Sequence, residues 1–197
     1  MKAEHLDHKV WNEFVNAGCP SAFQKLYDLH AERLYDFGIK YTSDSDRVKD
    51  AIHDLFIDLH TYRRSLAPEV NVVFYLLKSL KNKIIAQQKK IDRFSFQSLT
   101  ADTVVSISEF SFNIEEQIIF DEEQTHLLAT LAEEINRLPE RQREILYLRF
   151  THDLDYEEIS AMMQISVSSC RTFVYRALKV LISNLEISAI LLITWKL

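Results

Sequence analysis

Ser168, Arg171, Thr172, Tyr175 and Lys179 recur at three- and four-residue spacing, so on a helix they share one side. Hydroxyls at the helix start, a guanidinium and an ammonium further along, and no acid until Glu186 suit that side to phosphates and to base edges in a DNA groove. Lys78, Lys81, Asn82 and Lys89 share a face in the same way, although spacing alone fits a solvated lysine-rich face equally well. Metal chemistry has thinner support. The pairs His53-Asp54 and His152-Asp153 are of a kind used by helical metal-dependent phosphohydrolases, but adjacent helical residues point about 100° apart and further ligands must converge. Glu123 and His126 form one ExxH unit; helical di-iron sites need two such units and two more Glu, and the second unit is absent. No catalytic residue, metal or cofactor is expected, and the chain is not read as an enzyme.

The first set of residues needs a helix-turn-helix to position it, and residues 155–181 have that pattern. Tyr156, Ile159 and Met163 form an apolar stripe on a helix opened by Asp155 and the acidic pair Glu157 and Glu158. Ser166 is an N-cap for the second helix, whose inner face is Cys170, Val174, Ala177, Leu178 and Leu181. Ahead of it, Pro139 starts a helix with Ile145, Leu148 and Phe150 as its apolar residues. In the first half of the chain, a helix over residues 5–16 turns Leu6, Val10 and Phe14 inward and breaks at Gly18. Pro20 opens the next helix, to about Tyr41, with Phe23, Leu26, Tyr27, Leu34 and Phe37 toward a core. Val48, Ile52, Leu55 and Leu59 mark a third helix over residues 46–60. Residues 61–72 form a loop. The lysine-bearing helix follows from Val73 to about Ile91, with Leu77, Leu80, Ile84 and Ile91 inward.

Only two glycines and three prolines in 197 residues leave little turn chemistry for hairpins, so the chain is expected to be all-α. No signal peptide is visible at the start. Cys19 and Cys170 are too few for a disulfide framework or zinc site, which fits a reducing, cytoplasmic setting. The net charge of −6 is unevenly distributed: residues 71–93 carry 6 bases and 1 acid, whereas residues 94–136 carry 9 acids and no base. The helical periodicity vanishes over residues 94–112, where Ser and Thr are frequent. The expected organisation is therefore two small helical domains, residues 1–93 and 113–185, joined by an acidic linker over residues 94–112. The apolar tail, residues 186–197, is too short to span a bilayer and either packs on its own domain or contacts a partner or membrane surface.

Two separated blocks resemble the two domains of the extracytoplasmic-function sigma factors, small alternative specificity subunits of bacterial RNA polymerase, in the style of the many Bacteroidetes members. AFQKLYDLHAERLYDF, DRVKDAIHDLFIDLH and FYLLKSLKNKIIAQQKK are similar to region two; LPERQREILYLRF and DLDYEEISAMMQISVSSCRTFVYRALKVL are similar to region four. The resemblance covers about two thirds of the chain in the family's order. It implies that Asp50, Asp54, Leu55 and Phe56 meet the clamp helices of the polymerase core. It also implies that Lys78, Lys81, Asn82 and Lys89, with Arg63 and Arg64 of the preceding loop, meet the melted minus-ten element. The second helix of region four would enter the major groove of the minus-thirty-five element, bringing Ser168, Ser169, Arg171 and Thr172 to base edges and Arg176 and Lys179 to phosphates. In such a family the partners are core polymerase, promoter DNA and, in many members, a membrane-anchored anti-sigma factor.

This chain departs from the family pattern at Ser160, Gln164 and Cys170, where Ala, Gly and Val are usual, and at Ala86 and His53, where Asp and Gln are common. Gln164 must adopt a turn geometry that glycine accepts freely, at a cost on the order of 1 kcal/mol. The competing reading is a stand-alone helix-turn-helix regulator, which would have little need of the clamp-like and basic N-terminal half.

Overall fold

The structure, a computed structural model, describes residues 2–94 and 122–184. The predicted linker beyond Phe94, the acidic segment before Glu122 and the apolar tail lie outside the described residues. So do the side chains of Ile91, Glu123 and His126. The chain divides into two units, Met1–Ser108 and Glu109–Leu197, and every described element is helical.

The first unit contains α1 (Lys2–Asn12), α2 (Pro20–Gly38), α3 (Ser45–Thr61) and α4 (Val72–Phe94). A π-helical turn, Glu13–Ala17, extends α1 and is closed by Gly18 at φ 64°, whose N–H donates to the Phe14 carbonyl. Pro20 opens α2 as its sequence predicts. The α2 helix stops at Gly38, three residues short of expectation, because the chain must turn there against α3. A Cβ on Gly38 would stand 2.4 Å from Val48 Cγ1, so the missing side chain is what lets α2 and α3 approach. The Asp44 carboxylate caps α3 by accepting from the Arg47 N–H at 3.1 Å. Val48, Ile52, Leu55 and Leu59 are all buried, and α4 meets them with Leu76, Leu77, Leu80 and Ile84. Each such side chain contributes roughly 1.5 to 3 kcal/mol on burial. Trp11 is fully enclosed; its indole N–H donates to the Ala67 carbonyl at 3.0 Å and its ring lies 5.4 Å from that of Tyr75.

Two expected core residues lie elsewhere. Leu6 and Tyr27 are exposed, Tyr27 because it covers the edge of Phe56 at 5.0 Å without being enclosed itself.

His30 is buried between α1 and α2 with Nε2 3.6 Å from Asp7 Oδ1, too long for a hydrogen bond. Burial pushes its pKa below the usual 6.5, the Asp7 carboxylate opposes this, and Arg33 adds to it. The unfolded chain therefore takes up a proton near 6.5 that the folded chain refuses. His30 should leave stability intact above that pH and erode it as pH falls through 6.5, by on the order of 1 kcal/mol per pH unit until the folded histidine titrates. Urea unfolding at pH 7.5, 6.5 and 5.5 checks this, with a shallower fall expected for His30→Gln.

The second unit contains α5 (Glu122–Arg137), α6 (Glu140–Leu146), α7 (Tyr156–Met163) and α8 (Val167–Asn184). A π-helical turn, Tyr147–Thr151, continues α6. Leu138, Ile145, Leu148, Leu154, Ile159, Met162, Cys170, Val174, Ala177 and Leu181 form its core. Asn184 donates to Glu134 Oε2 at 2.7 Å, tying the end of α8 to α5. Phe150, expected inside, is exposed: the π turn holds an extra residue and rotates it away from the stripe of Ile145 and Leu148. On α7 it is Met162 that is buried, with Met163 only half covered.

Candidate nucleic-acid interface

The helix-turn-helix is α7, a tight turn and α8. Asp155 and Glu158 make a reciprocal capping box, with the Glu158 N–H donating to Asp155 Oδ1 at 2.7 Å and the Asp155 N–H to Glu158 Oε2 at 3.0 Å. Gln164 occupies the left-handed region at φ 56°, ψ 43°, the geometry its place in the turn predicts. Ser160 offsets that strain. Its hydroxyl donates to the Ile165 carbonyl at 2.6 Å, bridging the turn from the preceding helix. Ser166 caps α8, accepting from the Ser169 N–H at 3.1 Å.

The outer face of α8 is as its periodicity predicts. Ser168, Arg171, Thr172, Tyr175, Arg176 and Lys179 are exposed, Tyr175 at 66%. All three hydroxyls near the helix start already have local partners: Ser168 Oγ lies 2.9 Å from Ser166 Oγ, the Ser169 side chain is half-buried against the same cap at 2.8 Å, and Thr172 donates to the Ser168 carbonyl at 2.9 Å. Arg171 has its guanidinium over the Tyr156 ring, 5.5 Å from its centroid, and Arg149 lies over the same ring at 5.3 Å. Nothing in the spacing of Arg149 or Tyr156 announced this arrangement. Cys170 lies inward, and burial pushes its thiol pKa up.

In the first unit α4 divides its cations differently from the sequence reading. Asn82 and Lys89 are exposed and Lys78 is half-buried over the Phe74 ring at 5.2 Å. Lys81 is buried, its ammonium 5.0 Å over the Tyr41 ring, so it does not belong to an exposed strand-binding row. Lys83, not predicted, pairs with Asp58 at 2.5 Å. Of the loop arginines, Arg64 is exposed, whereas Arg63 turns inward, donates to the Val15 carbonyl at 2.6 Å and rests on Gly18. Arg63 is thus a structural tie between the loop and the end of α1, and glycine at position 18 makes room for it. Between them lies an open cavity of about 490 Å³, lined in part by His60, Tyr62 and Arg64. Tyr62 is 61% exposed there.

The α3 surface also differs from expectation. Leu55 and Phe56 are core residues, Phe56 packing against Phe23 and Tyr27, and cannot meet a partner on this fold. The outward face holds Asp50, His53, Asp54 and Ile57 at i, i+3, i+4 and i+7, and Ile57, not predicted, is 48% exposed. His152 packs edge-on to Tyr147 at 4.6 Å. Among the described residues no three His, Cys, Asp or Glu are gathered as metal ligands, and no helix is long and apolar enough to cross a membrane.

Residues 128–181 match the family described as Sigma-70, region 4. The chain is similar to the ECF RNA polymerase sigma-E factor of Escherichia coli (strain K12), with 26% identity over 182 residues, covering 89% of this chain and 92% of that protein. It is also similar to the RNA polymerase sigma-H factor of Pseudomonas aeruginosa, at 23% identity over 84% of this chain and 86% of the relative. Two solved structures share the fold. CnrH in complex with the cytosolic domain of CnrY gives a TM-score of 0.53 at 17% identity, covering 89% of this chain and 94% of that one. The sigma factor RpoE in complex with the anti-sigma factor NepR from Bartonella quintana gives 0.54 at 20% identity, covering 81% and 93%.

Proposed function

We infer that the chain is an alternative sigma factor of the extracytoplasmic-function group, which binds the core of a bacterial RNA polymerase and directs it to promoters. One observation carries this: the region 4 match over residues 128–181 coincides with a helix-turn-helix whose second helix exposes Ser168, Arg171, Thr172, Tyr175, Arg176 and Lys179. The similarity to sigma-E over 89% of the chain supports a polymerase-binding role for the first unit as well. The finer Bacteroidetes assignment rests on the sequence blocks alone. A sigma factor works where the polymerase and the chromosome are, which puts this one in the cytoplasm.

The exposed residues support the following assignment. The α8 helix lies in the major groove of the minus-thirty-five element, with Ser168, Arg171 and Thr172 at base edges and Arg176 and Lys179 on phosphates. Ser169 serves the cap. Lys78, Asn82 and Lys89 run along the melted minus-ten strand, and Arg64 and Tyr62 border an open cavity beside it, the exposed tyrosine offering a stacking surface to an unstacked base. Asp50, His53, Asp54 and Ile57 face the clamp helices. The two solved structures are each complexes with a second protein, one of them an anti-sigma factor, which supports a partner of that kind for this chain.

Run-off transcription with core polymerase on promoters recovered by selection tests the reading. Transcription that depends on this chain is the expected result; tight sequence-specific binding by the free protein, with no effect on core enzyme, would make it a stand-alone regulator. Within that assay, Arg171→Ala should relax preference at one upstream base pair and cost about 1 to 3 kcal/mol of discrimination there. Uniform weakening over all bases would instead make Arg171 a phosphate contact.

A further inference from the structure

Arg171 is the exposed cation of α8 whose position is defined by a contact from the other helix of the motif. Its guanidinium sits over the Tyr156 ring, and it makes no hydrogen bond or ion pair with any described residue. Tyr156 is itself set in place. It is the first residue of α7, directly after the Asp155 capping box, and Arg149 lies over the same ring while donating to the Leu154 carbonyl at 2.8 Å. The ring is therefore held from the backbone at its own end, and Arg171 reaches it from α8.

A guanidinium carries its five N–H donors in its plane, so contact with the ring through the face of the guanidinium would leave that donor edge open. The edge is what pairs bidentately with O6 and N7 of guanine in the major groove. A long side chain already held before contact also loses less conformational freedom on binding than one that is free in water.

We propose that Tyr156 is a specificity-determining positioning residue: its ring presents the donor edge of Arg171 to a guanine of the upstream promoter element. The proposal rests on the reading that α8 contacts that element. It gives the aromatic residue at the start of α7 a part in base recognition although it does not itself touch DNA.

The test uses holoenzyme assembled from the full chain and core polymerase, transcribing a promoter library randomised across the upstream element, with base preference read position by position. Wild type should prefer guanine at one position, and Arg171→Ala should erase that preference. Tyr156→Leu should reduce it about two- to fivefold at the same position and leave the others unchanged, the size expected when an exposed cation–π contact is lost. Tyr156→Phe, which keeps the ring, should retain it. A Tyr156→Leu profile identical to wild type, an even loss at all positions, or equal damage from Tyr156→Phe overturns the proposal while leaving the α8 reading intact. An Arg171→Ala profile identical to wild type overturns both. Should Tyr156→Leu fail to fold, the wild-type chain still decides: the Arg171 Hδ resonances should be shifted upfield by the ring, and random-coil positions for them overturn the proposal.

Discussion

The double substitution Asp50→Arg, Asp54→Arg should weaken binding to core polymerase by at least about 100-fold and leave thermal unfolding within a few degrees of wild type. Both carboxylates are exposed on α3 and neither makes an ion pair or hydrogen bond with a described residue, so the fold loses no contact when they go. Arginine is also a good helix former. At a charge-complementary interface, two attractive contacts become two like-charge contacts, each costing several kcal/mol. Fluorescence anisotropy of the labelled chain against core enzyme measures the first effect and a melting curve the second. Normal core affinity in the folded variant would move the polymerase contact away from this face. Because Ile57 stands one helical turn beyond Asp54 and is half exposed, Ile57→Ser should add a smaller loss in the same direction.

Gly38→Val should destabilise the first unit by about 3 kcal/mol or more and lower its melting temperature accordingly. The first added carbon already falls 2.4 Å from Val48 Cγ1, well inside van der Waals contact, and Val48 is itself fully buried. Overpacking at such a site ordinarily costs 1 to 3 kcal/mol, and valine brings two further methyls to the same contact. The gain of a better helix former at the last position of α2 is a fraction of that. Pairing the change with Val48→Ala should recover a large part of the loss, which a denaturation series on the single and double variants would show.

The elements readable from the sequence were those set by local rules. The stripe of Val48, Ile52, Leu55 and Leu59, the opening of α2 at Pro20, the Ser166 cap and the left-handed Gln164 all follow from periodicity or capping chemistry within a few residues. The misplacements came where the answer depended on another element. Lys81 looks like its neighbours until Tyr41 is seen to cover its ammonium, and Arg63 looks like Arg64 until the carbonyl of Val15 appears beside it. Phe150 and Met163 were misassigned because their faces were extrapolated across a π turn and a short capped helix, where a regular period of 3.6 no longer holds. Leu55 and Phe56 were assigned to an interface by resemblance, although the same α3 stripe already placed Leu55 inside. The Ser160 bridge was invisible for a different reason: a small residue reads as a packing residue unless the carbonyl it reaches across the turn is known.

The lysines of α4 have a consequence for how binding responds to salt. A strand that docks on the helix expels condensed counterions only for cations that newly neutralise phosphates, roughly 0.7 per contact on a single strand. Lys83 already neutralises Asp58, and Lys81 is stationed over Tyr41. The slope of log affinity against log salt contributed by this helix should therefore correspond to Lys78, Lys89 and the two bases that follow them, Lys90 and Arg93, not to all six bases that residues 71–93 contain. A helix that looks like a general polyanion binder in composition is, in ion release, a modest one.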